Sequence, residues 1–217
     1  MDSNQLATMI DHTILRPDVV SEDIKIKCQE ALEYKFASVC VGPSFVKLAS
    51  RQLADSEVKV CTVVGFPLGE STSETKAFET RNAVKNGAQE IDMVINIGAL
   101  KSEAWDVVRD DMRVVVREAK DKAIVKVIIE TCYLTEEEIK KACQVIKDVG
   151  ADFVKTSTGF GTAGAKVEDL ELIKGVVGDE LEIKAAGGIR TKAEAVKMIE
   201  AGATRVGTSS GVEIVSN

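Results

Sequence analysis

Short apolar, β-branched runs alternate with longer segments of helical period along the chain, the pattern of a parallel sheet joined by crossover helices. Eight runs read as strands, at 10–13, 38–41, 59–64, 90–95, 125–129, 153–156, 182–185 and 205–207. Between them, Trp105, Val108, Met112, Val115 and Ala119 fall on one helical face, and Ile139, Cys143, Ile146 and Val149 on another. Three segments start with an S/T-x-x-E capping pattern: Ser71 with Glu74, Thr135 with Glu138, and Thr191 with Glu194. A recurring tag, Asn86-Gly87-Ala88, Gly150-Ala151-Asp152 and Ala201-Gly202-Ala203, sits between a helix and the next strand, where glycine can take the left-handed position that ends a helix.

Eight strand-plus-helix units with no linker or composition break predict an α/β fold: one (β/α)8 TIM barrel over residues 1–217, with a short N-terminal helix. No G-x-G-x-x-G opens the first helix, which argues against a dinucleotide-binding open sheet. In such a barrel, chemistry belongs at the carboxyl ends of the strands.

Composition narrows the function. Hydrophobic residues make up 45% and charged residues 29%, and no apolar run approaches the ~18 residues of a membrane span, so a soluble protein with no membrane partner is expected. The start, Met1-Asp2-Ser3-Asn4, shows neither a basic leader nor an apolar stretch, and a cytoplasmic location is expected. Cys28, Cys40, Cys61, Cys132 and Cys143 are odd in number and lack C-x-x-C spacing, which fits reduced thiols better than disulfides or a zinc cage. A net charge of -7 disfavours nucleic acid, and a single histidine, His12, leaves a Ser-His-Asp triad or a His-rich metal site little to build from.

Three lysines interrupt apolar strands: Lys126, Lys155 and Lys184, spaced by 29 residues each. Equal spacing predicts similar heights on neighbouring strands and ammonium groups that converge inside the barrel. Taken singly, a strand lysine turns outward and keeps its charge in water; three in register favour the interior, where lowered basicity is useful. A nucleophilic lysine must be neutral near pH 7, a shift of about three units or ~4 kcal/mol. A second ammonium ~4 Å away supplies about that much at an effective dielectric of 20. Asp92, a carboxylate in the apolar strand at 90–95, reads equally as an ion-pair partner for Lys126 or as a proton carrier beside an imine-forming lysine. Two glycine-rich loops, Gly187-Gly188-Ile189-Arg190-Thr191 and Gly207-Thr208-Ser209-Ser210-Gly211, follow the seventh and eighth strands, where barrels often hold a phosphate.

The blocks Ile10-Asp-His-Thr-Ile-Leu, Val64-Gly-Phe-Pro-Leu-Gly, Glu90-Ile-Asp-Met-Val-Ile-Asn-Ile-Gly-Ala-Leu, Lys126-Val-Ile-Ile-Glu-Thr, Asp152-Phe-Val-Lys-Thr-Ser-Thr-Gly and Lys184-Ala-Ala-Gly-Gly-Ile-Arg-Thr resemble the deoxyribose-phosphate aldolase family, in its order, across essentially the whole chain. The resemblance implies that Lys155 forms an imine, that Lys184 lowers its basicity and that Asp92 relays protons through a water, with Lys126 supporting Asp92. It implies reversible cleavage of 2-deoxy-D-ribose 5-phosphate to glyceraldehyde 3-phosphate and acetaldehyde, with no metal and no cofactor. By the same likeness Gly159, Gly187, Gly188, Arg190, Ser209 and Ser210 surround the phosphate, and Thr158 lines the site. Cys40 lies near the substrate, while Asp11 and Thr13 resemble residues near the sugar hydroxyls. Homo-oligomers, dimers or tetramers, are common among such enzymes.

Two departures stand out. Phe160 follows Thr-Ser-Thr-Gly where some members carry lysine, which predicts weaker discrimination between phosphorylated and unphosphorylated aldehydes. The sequence also stops after Val212-Glu-Ile-Val-Ser-Asn, without the terminal tyrosine that some members fold over the site. The rival readings are a transaldolase-like Schiff-base aldolase and a non-catalytic phosphosugar-binding barrel; the second has no reason to hold Lys155 and Lys184 together.

Overall fold

A computed structural model describes residues 1–216. Eight strands close into a parallel barrel in sequence order, β1 (Ile10–Ile14), β2 (Ser38–Val41), β3 (Lys59–Val64), β4 (Glu90–Val94), β5 (Ile124–Ile128), β6 (Phe153–Lys155), β7 (Glu182–Ala186) and β8 (Arg205–Thr208). The ring is sealed where His12 of β1 pairs with Thr208 of β8. A short helix, α1 (Ser3–Ala7), precedes the barrel, and α2 (Ser21–Tyr34), α3 (Val46–Gln52), α4 (Ser73–Lys85), α5 (Ile97–Lys101), α6 (Trp105–Ala119), α7 (Glu136–Val149), α8 (Val167–Val177), α9 (Lys192–Glu200) and α10 (Gly211–Ser216) wrap it. Among the described residues, no helix is long and apolar enough to cross a membrane.

Alternation along the strands decides what faces where. Val39, Val60, Ile91, Met93, Val125, Val127, Val154, Ile183 and Val206 join the main hydrophobic cluster between barrel and helices. The expected stripes complete it, with Val108, Met112, Val115 and Ala119 of α6 and Ile139, Cys143 and Ile146 of α7 all buried. The intervening strand positions point inside the barrel, and there the usual branched apolar filling gives way to charge: Asp11, Glu90, Asp92, Lys126, Lys155 and Lys184 are all buried.

Capping follows the sequence at two of the three sites. Thr135 with Glu138 and Thr191 with Glu194 form reciprocal capping boxes. At α4 the cap is Thr72, whose side chain accepts from the Thr75 backbone N–H, and not Ser71; two adjacent hydroxyl residues made the pattern ambiguous by one position. Gly87, Gly150 and Gly202 sit after helices at φ 107°, 74° and 110°, as the recurring tag predicts.

Candidate active site

Asp92 lies at the centre of the barrel interior, fully buried on β4. Its Oδ2 accepts from Lys155 Nζ and from Lys184 Nζ at 2.6 Å each, and its Oδ1 accepts from Lys126 Nζ at 2.9 Å. Two lysine nitrogens on one oxygen lie no further apart than twice that bond, so the pair expected on β6 and β7 is formed. Lys155 and Lys184 are direct register partners. A Cβ at Gly207 on β8 would come within 3.0 Å of Lys184 Cε, so glycine there leaves space for the lysine stem.

Lys126 does not stand at their height. It pairs with Phe153, two residues below Lys155, and with Asp92 on its other side. Equal 29-residue spacing therefore misleads, because loop and helix lengths differ between units while register is set by strand pairing.

The three lysines also do not meet as bare like charges. Asp11 ion-pairs with Lys184, lies 3.6 Å from Lys126 Nζ, and accepts from Ser38 Oγ and Arg205 Nη1 at 2.6 Å each. Glu90 accepts from Lys126 Nζ at 2.5 Å and lies 3.2 Å from Arg205 Nη1. Asp11 is thus a buried member of the charge cluster and not a residue facing a sugar. Glu90 and Arg205 were missed in the sequence; Glu90 stands two positions before Asp92, which puts both carboxylates on one face of β4.

These contacts set the charge states. Burial opposes ionisation of Asp92, but Lys126, Lys155 and Lys184 outweigh it and hold its carboxyl well below the usual range. For Asp11, too, burial is overcome, by Lys184, Lys126 and Arg205, and the carboxyl is held far down. Burial would lower Lys184 and Lys126, yet their carboxylate partners raise both, so each stays a cation. The cation beside Lys155 is therefore permanent, although two acids neutralise part of its field.

Thiols complete the ring. Cys40 and Cys61 are register partners on β2 and β3, both fully buried, and Cys61 Sγ lies 3.2 Å from Asp92 Oδ1. Cys40 packs with Cys61 and Val63 beneath Leu15 and Phe66, as a core residue at the edge of the site. Cys40, Cys61 and Asp92 could converge on an ion, as could Asp11, Cys61 and Glu90. The carboxylates of both groups are already matched to ammonium or guanidinium partners, which leaves no net anionic cradle for a cation.

Above the cluster opens a cavity of about 630 Å³ lined by Thr13, Lys155, Thr158, Gly159, Phe160, Gly187, Gly188, Arg190 and Ser209, among others. Lys155 reaches this cavity; Lys184, Lys126 and Asp92 lie behind it. Of the residues expected around an anion, Ser210 stands just outside the lining, its N–H donating to Thr208 Oγ1 at 3.0 Å. Glycines 159, 187 and 188 have φ of 88°, 87° and 80°, a conformation that turns backbone N–H groups in ways other residues rarely adopt.

Three contributors escaped the sequence reading. Glu130, after β5, adopts φ 54° and accepts from the Thr158 N–H at 3.1 Å and from the Thr158 hydroxyl, which pins the loop after β6. Arg16 and Lys27 line the cavity on the side of α2, and Lys27 Nζ donates to the Ser209 carbonyl at 3.2 Å and to Glu30 at 3.1 Å. Both cations are ion-paired there, Arg16 with Asp23 at 2.6 Å and Lys27 with Glu30 at 3.1 Å, while the Phe160 ring meets Phe66 edge-on at 5.4 Å.

The family model for DeoC/LacD family aldolases matches residues 5–217. A deoxyribose-phosphate aldolase of Clostridium tetani is 57% identical over 97% of this chain and 98% of its own length. One from Carboxydothermus hydrogenoformans is 59% identical over 99% of this chain and 96% of its own. Among solved structures, a deoxyribose phosphate aldolase from Aeropyrum pernix, described as tetrameric, superposes with a TM-score of 0.93 at 32% identity, covering 99% of this chain and 91% of that one.

Proposed function

This chain belongs to the DeoC/LacD family of aldolases, and from that premise we propose that it cleaves 2-deoxy-D-ribose 5-phosphate reversibly to D-glyceraldehyde 3-phosphate and acetaldehyde through an imine at Lys155. It is a lyase, and the whole chain, 1–217, acts as one catalytic domain. The observation that carries the reading is that Lys155 touches both the cavity and the buried pair of Lys184 and Asp92.

The neutral amine of Lys155 attacks the C1 aldehyde of the open-chain sugar, and loss of water leaves an iminium ion. That ion draws in the electron pair of the C2–C3 bond as the C3 hydroxyl gives up its proton. Glyceraldehyde 3-phosphate departs and an enamine remains, which takes a proton at C2 and is hydrolysed to acetaldehyde and free lysine. Asp92, ionised and already hydrogen-bonded to both lysines, carries protons through a water, and Lys184 stays the charged neighbour that disfavours a second ammonium at Lys155. Lys126 fixes Asp92 from below.

The phosphate lies against the loops after β6, β7 and β8, where Gly159, Gly187, Gly188 and Ser209 offer close backbone approach and Ser210 contributes from just outside the lining through its side chain. Arg190 supplies charge there, and Lys27 adds to it from α2. Thr13 and Thr158 meet the sugar in this reading, which their position in the cavity lining supports. Assembly as a homo-oligomer fits the tetrameric relative.

Incubation with 2-deoxyribose 5-phosphate should release acetaldehyde and glyceraldehyde 3-phosphate in equal amounts. Transfer of a three-carbon ketone unit from a ketose phosphate to an aldehyde acceptor, with no acetaldehyde released from 2-deoxyribose 5-phosphate, would establish the transaldolase-like alternative instead; no turnover of either substrate would leave a binding barrel.

A further inference from the structure

We propose that Arg205, at the amino-terminal end of the barrel and away from the cavity, is a positioning residue for Lys155: it is the fourth cation of a buried cluster with three carboxylates, and this surplus charge makes the cluster release one proton. The inference rests on the imine chemistry proposed above.

Every strand sends a titratable group to this cluster. They are Asp11 from β1, Cys40 from β2, Cys61 from β3, Glu90 and Asp92 from β4, Lys126 from β5, Lys155 from β6, Lys184 from β7 and Arg205 from β8. Counting the thiols as neutral, four cations face three carboxylates among the described residues. An excess charge in a buried site is expensive, and the guanidinium cannot shed its proton, so a lysine must.

Contacts decide which lysine. Lys126 faces three carboxylates, Glu90 at 2.5 Å, Asp92 at 2.9 Å and Asp11 at 3.6 Å, and Lys184 faces Asp11 and Asp92. Lys155 faces Asp92 alone and is the member that reaches the cavity. Its proton is held by the least attraction and has the readiest exit.

Arg205 is built to keep its place in the count. Its Nη1 lies 2.6 Å from Asp11 Oδ1 and 3.2 Å from Glu90 Oε1, and its guanidinium stands 5.7 Å from the Phe153 ring. It is the register partner of Lys184 across β7 and β8, yet its side chain meets Asp11 and Glu90 and lies outside the cavity lining, so it contacts no group that could touch substrate.

The experiment is the pH profile of kcat/KM for 2-deoxyribose 5-phosphate cleavage, with thermal melts, in four variants. Arg205→Met leaves three cations and three carboxylates, so its acid limb moves to higher pH by about one unit, a ~tenfold loss at a fixed pH on that limb that is regained in alkali. The loss lies in kcat, with KM within about twofold. Arg205→Lys keeps the count and the wild-type limb. Glu90→Gln moves the limb in the opposite direction, and Arg205→Met combined with Glu90→Gln restores a surplus of one and returns the limb towards wild type.

A uniform loss at every pH in Arg205→Met, with no displaced limb, overturns the proposal and leaves Arg205 a structural residue. If Arg205→Met does not fold, Glu90→Gln decides, since an unmoved limb there overturns the charge count equally. Failure of the imine chemistry is distinguishable, because the wild-type enzyme would then release no acetaldehyde.

Discussion

Lys184 and Lys155 share one oxygen of Asp92, and the two lysines cannot exchange roles because only one reaches the cavity. Replacing Lys184 with leucine removes the cation beside the nucleophile and strips Asp11 and Asp92 of a partner. Steady-state kinetics on Lys184→Leu should show a fall in kcat of about two orders of magnitude or more at neutral pH. Unchanged turnover would break the link between the pair. At the rim, Phe160→Lys adds a cation to a cavity that already holds Arg190 and Lys27. The ratio of kcat/KM for phosphorylated over unphosphorylated substrate should rise by roughly fivefold to tenfold, the scale of one charge-assisted hydrogen bond in partly screened surroundings; a constant ratio would show that Lys27 and Arg190 already saturate the phosphate.

Among elements, the strands were the most legible feature, because β-branched runs bounded by glycine and polar residues leave little choice of period. All eight appear within a residue or two of the expected bounds. Sequence spacing said less about height. Lys155 and Lys184 do pair across strands, but Lys126 sits a layer deeper, since pairing and not chain distance sets register. The charge cluster was half visible for a similar reason. Lysines inside apolar runs are conspicuous, whereas Glu90 and Arg205 occupy the first positions of β4 and β8, where charged residues usually face water. The loop after β7 carries its own test. A Cβ at Gly187 would stand 3.0 Å from Gly164 Cα with the backbone at φ 87°. Gly187→Ala should therefore displace the loop, raising KM for the phosphorylated substrate about tenfold while the melting temperature drops by a few degrees. An unchanged KM would remove this loop from the phosphate site.

For the whole molecule, the outer face of β1 ties barrel to helices through His12, the chain's single histidine. His12 is fully buried; its Nε2 lies 2.7 Å from Glu30 and 2.9 Å from Lys27, and its Nδ1 has no hydrogen-bond partner. Burial, reinforced by Lys27, pushes its pKa down from 6.5 to about 4. The unfolded chain thus binds a proton that the folded one refuses, so stability present above pH 6.5 drains away as pH falls towards 4. The loss is on the order of 3 kcal/mol. Urea unfolding at pH 7.5 and pH 4.5 measures it, and His12→Gln should flatten that interval; an equally steep decline in the variant would place the acid sensitivity elsewhere. The carboxylates of Asp11 and Asp92, held down by their cations, lose their contribution only at lower pH, below the ordinary carboxylate range.

Borohydride reduction in the presence of acetaldehyde, followed by peptide mass mapping, reports where the carbonyl is captured. An N-ethyl group on Lys155, with Lys126 and Lys184 unmodified, is the predicted result. Modification of Lys184 in place of Lys155, or acetaldehyde captured only at exposed surface lysines, would contradict it.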